Sequence, residues 1–73
     1  MDKDKGIQEI KEQMNSIRTK LTEKKSEIET VELKMLDDIM GVLAVLALAS
    51  GEPAVAKECY ETHEVIGKLI AER

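Results

Sequence analysis

The chain predicts an all-α fold: a long N-terminal helix with a coiled-coil seam, then a C-terminal antiparallel helical hairpin, assembling into an oligomeric helical bundle. Three observations carry this. Ile7, Ile10, Met14, Ile17, Leu21, Ile28, Val31 and Met35 recur three and four residues apart, the spacing of one helix face rather than the alternation of a strand. From Ile39 to Ala49 the chain is apolar on every side of a helix, the mark of a buried one. Ser50-Gly51-Glu52-Pro53 is the clearest punctuation in the sequence.

The first helix is expected over residues 6–50. Between Gly6 and Ser50 there is no proline, the only interior glycine is Gly41, and Glu, Lys, Met, Leu and Ile dominate, all good or acceptable helix formers. A competing reading breaks the helix near 22–26, because Ser26-Glu27-Ile28-Glu29 has the form of a capping box that could start a new helix. Against the break, the heptad phase runs from Leu21 to Ile28 without interruption. In the seam, Ile7, Met14, Leu21, Ile28 and Met35 take one set of core positions and Ile10, Ile17, Lys24, Val31 and Asp38 the other. Lys24 is thus a polar seam position, a register device or a side chain that snorkels its charge outward. β-branched residues in the second set disfavour a parallel two-stranded coil and point to antiparallel pairing or a tetramer.

The second helix is expected over 53–72. Gly51 suits the left-handed residue that closes a helix and Pro53 the first turn of the next, so a tight hairpin follows. Val55, Ala56, Cys59, His63, Ile66, Leu69 and Ile70 fall near one face of the return helix. Its length of about 30 Å reaches back only to about residue 31. The stripe N-terminal to that point therefore has no expected partner in its own chain. A single domain over 1–73 is expected, and at this size a core alone is marginal.

Other supplements to that core are scarce. Cys59 is the only cysteine and His63 the only histidine, so disulfides are excluded within the chain and oligomerisation is the remaining usual route. The interface is expected to use Ile10, Met14, Ile17, Leu21, Ile28, Val31, Met35, Leu43, Leu46 and Ile66, in a homo-oligomer of two or four chains.

Function classes narrow in the same way. A net charge of −4, with 11 basic and 15 acidic residues intermixed and Tyr60 the only aromatic, lacks both the basic face and the stacking platforms that nucleic acid needs. The longest apolar run is too short for a membrane span of about 20 residues, and Met1–Lys5 lacks the apolar core of a signal peptide. With its lone cysteine, the chain reads as cytoplasmic. Tyr60, Glu61, His63 and Glu64 cluster around one turn, yet there is no glycine-rich phosphate loop, no nucleophile in a recognisable context and no paired catalytic carboxylates. No catalytic, cofactor or metal residue is assigned. The expected function is non-enzymatic: an oligomeric protein–protein interaction module acting as an adaptor, co-chaperone or small inhibitor of another protein. The alternative is an oligomeric small-molecule or metal-binding protein with an inter-chain site near Cys59, Tyr60 and His63, since Cys59 and His63 sit at i and i+4, a spacing able to hold half a zinc site.

Gly51 to Tyr60, with Ala56 and Tyr60 at small and aromatic positions, resembles the turn and second helix of a tetratricopeptide repeat, which implies hairpin packing and protein binding. Pro53-Ala54-Val55 and Cys59-Tyr60-Glu61-Thr62-His63 resemble the second helix of the small sporulation-regulating aspartyl-phosphate phosphatases. Where that family carries its signature Ser-Gln-Glu-Leu-Asp, this chain reads Cys59-Tyr60-Glu61-Thr62-His63, which keeps only the central glutamate and loses the final acidic residue.

Overall fold

The computed structural model describes residues 2–73, with side chains from Lys5 onward. Three helices run in sequence: α1 over Asp2–Glu23, α2 over Thr30–Ala49 and α3 over Pro53–Ala71, with a short 3-10 turn at Lys25–Glu27 between the first two. Helices of 22, 20 and 19 residues are about 33, 30 and 28 Å long. They lie alongside one another in a bundle measuring 40 × 18 × 17 Å.

The helix expected over 6–50 is therefore two helices, and the chain reverses between them. Its physical reason is burial. Ile7, Ile10, Met14, Ile17 and Leu21 are all buried against α2 and α3 of the same chain. Each such side chain contributes about 1.5–3 kcal/mol when taken out of water. Interrupting the helix forgoes only a few backbone hydrogen bonds, worth about 0.5–1.5 kcal/mol net apiece. A continuous helix would have left the stripe wet unless a second chain covered it. The break, Lys24–Glu29, overlaps the 22–26 segment of the competing reading and extends three residues past it, but the capping box is not used. Ser26 lies inside the 3-10 turn, and the residue preceding α2 is Glu29, whose side chain makes no capping hydrogen bond. Ile28, one heptad after Leu21, stays buried across the reversal.

The α2–α3 hairpin closes as its residues predict. Gly51 adopts φ 78, and two hydrogen bonds seal the end of α2, Glu52 N–H to the Ala47 carbonyl at 3.0 Å and Gly51 N–H to the Leu48 carbonyl at 3.1 Å. This is the Schellman arrangement. Pro53 opens α3, and the Glu52 carbonyl accepts the Ala56 N–H at 3.0 Å.

α2 and α3 approach each other most closely, because the side chains between them are small: Ala44, Ala47, Ala56 and Cys59 are buried there among Leu33, Met40 and Ile66. α1 presents larger Ile, Met and Leu side chains and stands further off. Its register on the pair is marked by Met14, whose Sδ lies 3.5 Å from Cys59 Sγ in the core, and by Arg18, paired with Glu58 at 3.9 Å on the surface. Two contacts tie the reversal down. Lys20 pairs with Glu32 at 3.3 Å, and the Arg73 guanidinium donates to the carbonyls of Ile28 and Lys25.

Candidate functional site: the outward face of α2

α2 is apolar on two opposite faces. At about 100° per residue, Leu33, Leu36, Met40, Leu43, Ala44 and Ala47 share the face that packs into the bundle, and all are buried. Val31, Met35, Val42, Val45 and Leu46, with Ile39 at the edge, occupy the other side. They stand in solvent: Val31 is 68% exposed, Met35 59%, Val42 58% and Val45 59%. Asp38 is the one carboxylate on that stripe. The sequence run that is apolar on every side thus has one side covered by its own chain and one uncovered.

Beside the stripe, between α2 and α3, lies an open groove of ≈ 520 Å³ lined by Asp37, Asp38, Gly41, Val42, Val45, Leu46 and His63. Its polar end is the His63–Asp37 contact, Nε2 to Oδ1 at 3.3 Å. That oxygen is shielded from solvent and has no aligned donor among the described residues, so the contact is one of proximity rather than a directed hydrogen bond. The groove floor is Gly41. A Cβ added there would meet the His63 ring at 3.7 Å, ordinary contact distance.

The ten residues expected at an oligomer interface divide sharply. Ile10, Met14, Ile17, Leu21, Ile28, Leu43 and Ile66 are buried inside their own chain, whereas Val31, Met35 and Leu46 are exposed on α2. The exposed residues Val42 and Val45 complete the stripe, although the heptad pattern does not single them out. Their signal was the all-round apolarity of 39–49, which shows that a surplus face exists without saying which one the chain itself covers.

The residues considered for an inter-chain ligand site point in different directions. Cys59 is fully buried, and burial, aided by the Glu58 carboxylate and opposed by Arg18, pushes its thiol pKa up from 9.0. A thiol held protonated is a poor metal ligand or nucleophile, since both roles need the thiolate. His63 turns outward to Asp37, and Tyr60 is exposed. Among the described residues no group of three or more His, Cys, Asp or Glu side chains could hold a metal ion, and no helix is long and apolar enough to cross a membrane.

The chain matches no family model, no curated protein and no solved structure.

Proposed function

We propose that the protein is a non-enzymatic, homo-oligomeric interaction module whose copies associate through the outward face of α2. The observation that carries this reading is the uncovered stripe. Val31, Met35, Ile39, Val42, Val45 and Leu46 together expose on the order of 600 Å², at the upper end of the largest patch on a typical monomer, about 300–600 Å². It is about three quarters of the ~800 Å² that each partner brings to a standard interface.

A second copy suits the stripe because an isologous two-fold contact needs only one self-complementary surface, and a nearly uncharged row of Val, Met and Leu complements itself. Asp38 has Lys34 one turn earlier on α2, which offers a carboxylate at the interface a cation from either chain. In such a dimer, α2 occupies the centre of a larger bundle, with α1 and α3 of its own chain on one side and the partner's α2 on the other. The assembled module then acts by occupying a surface of another protein, as an adaptor, co-chaperone or small inhibitor does.

The test is light scattering behind size exclusion over a dilution series, on the native sequence and on a Val42→Glu/Leu46→Glu variant. Native protein of two or more chains and a folded variant of fewer chains are expected. A native protein that runs as one chain at high micromolar concentration refutes the reading.

A further inference from the structure

Between Glu23 and Thr30 the chain reverses without any residue that demands a reversal. The segment Lys24–Glu29 contains neither glycine nor proline, and no non-glycine residue among those described has positive φ. Three residues leave helical geometry: Lys24 at φ −126, ψ 28, Ile28 at φ −78, ψ 124, and Glu29 at φ −75, ψ 155. All three are residue types that helices accept. Neither Lys24 nor Glu29 caps its neighbouring element with a side-chain hydrogen bond, so little local chemistry holds the ends apart. The heptad step from Leu21 to Ile28 places both on the same face of a straight helix as well as in the core of the bent one.

We infer that Lys24–Glu29 is a hinge that can also be helical, and that α1 exchanges between two copies of this chain. In the exchanged dimer, α1 and α2 form one helix of about 48 residues, roughly 72 Å long, and each α1 lies in the α2–α3 groove of the other copy. Every contact of the Ile7–Leu21 stripe is made again, between chains instead of within one, as is the Arg18–Glu58 pair. Only the hinge differs between the two forms, which is the condition under which swapping is a low-cost route to a dimer.

The bent form has its own tethers, and they are specific. Arg73 binds the Ile28 and Lys25 carbonyls, which in a continuous helix would turn to accept the N–H groups of Glu32 and Glu29. The Lys20–Glu32 pair, now 3.3 Å, spans twelve residues and would be about 18 Å apart along a straight helix. Arg73 and Lys20 are therefore the latch on the hinge. Exchange leaves the outward stripe of α2 free, so it is independent of the association proposed above and would present two such stripes on one dimer.

Glu29 supplies the converse lock. Its φ of −75 suits proline, Ile28 before it already has the extended ψ of a residue preceding proline, and proline at 29 breaks a continuous helix.

The experiment mixes two full-length chains in a Cys59→Ala background, one carrying Arg18→Cys and the other Glu58→Cys. After warming and cooling, the mixture is treated with a short bis-maleimide, and inter-chain links are mapped by mass spectrometry. Exchange predicts a link between positions 18 and 58 of different chains, several-fold stronger with Arg73→Ala in both chains and lost with Glu29→Pro in both. If the link between chains is no stronger than in the Glu29→Pro pair, exchange is overturned. A mixture that is dimeric by light scattering yet lacks that link also overturns it and assigns assembly to the α2 stripe.

Discussion

Glu29→Pro separates the bent chain from a continuous helix by the sign of a stability change. In the structure, Glu29 sits at φ −75, ψ 155 with Ile28 before it at φ −78, ψ 124. Proline holds φ near −65 ± 15° and pushes the preceding residue into the extended region, so both residues already have the geometry that the substitution imposes. Among the described residues, the Glu29 N–H donates no hydrogen bond that proline would remove, and the Glu29 carbonyl keeps its bond from Leu33 N–H at 2.9 Å. With native geometry compatible, restricting the unfolded chain stabilises by about 0.4–1 kcal/mol. At about 4–8 °C per kcal/mol for a domain of this size, the melting temperature rises by roughly 2–8 °C. A helix running through position 29 gives the opposite result, losing about 3 kcal/mol or more to the missing donor and the ring clash. Thermal unfolding followed by circular dichroism at 222 nm reads the difference directly. A fall in melting temperature or a loss of helical signal would refute the reversal at Lys24–Glu29.

Three further outcomes follow from the same geometry. Gly67→Ala is expected to stabilise by about 0.5–1 kcal/mol, because a Cβ at Gly67, inside the last third of α3, meets nothing within 4 Å; an unchanged or lower urea midpoint counts against the packing of α3. Met40→Ala, at a fully buried position on α2, should cost about 2–5 kcal/mol through lost burial and the cavity left behind, measurable by chemical unfolding, and a loss below 1 kcal/mol would place Met40 outside the core. Cys59 makes stability fall in alkali: burial, first among its causes, raises the folded thiol's pKa above 9.0, so above that pH the unfolded chain releases a proton that the folded chain keeps. This contribution is fully present below pH 9 and is lost as pH rises through the folded pKa. The urea stability of the native chain minus that of Cys59→Ala should therefore shrink between pH 8 and pH 10, and a difference that stays constant removes the thiol from the account.

How much of the site was readable depended on whether a residue's partners are near in sequence. The hairpin is a local object. Gly51 and Pro53 act within one turn, and the bonds from Gly51 and Glu52 to Leu48 and Ala47 need no distant residue. The stripe from Ile7 to Leu21 was equally visible, but periodicity records only that a face must be covered, not by what. The two halves of the 39–49 run illustrate the same limit. Leu43 and Leu46 are both leucines three residues apart in an apolar segment, yet Leu43 is 5% exposed and Leu46 48%, because α1 and α3 cover only one side of α2. Cys59 and His63 were adjacent on a helical projection, but a four-residue step around α3 sends one into the core beside Met14 and the other to the rim beside Asp37.

The sequence by itself determined the helical class, the closing turn at Ser50–Pro53 and the excess of apolar surface on α2, since each follows from propensity, glycine and proline geometry, or periodicity within a few residues. Only the tertiary structure decided that α1 turns back at Lys24–Glu29 and that Val31, Met35, Val42, Val45, Leu46 and Leu48 are among the apolar residues of α2 left uncovered. A chain of good helix formers is locally content either straight or bent there. Within one chain, burial of Ile7, Ile10, Met14, Ile17 and Leu21 against α2 and α3, a sum over contacts distant in sequence, requires the bent form, and the packing of α1 and α3 chooses which face of α2 remains open.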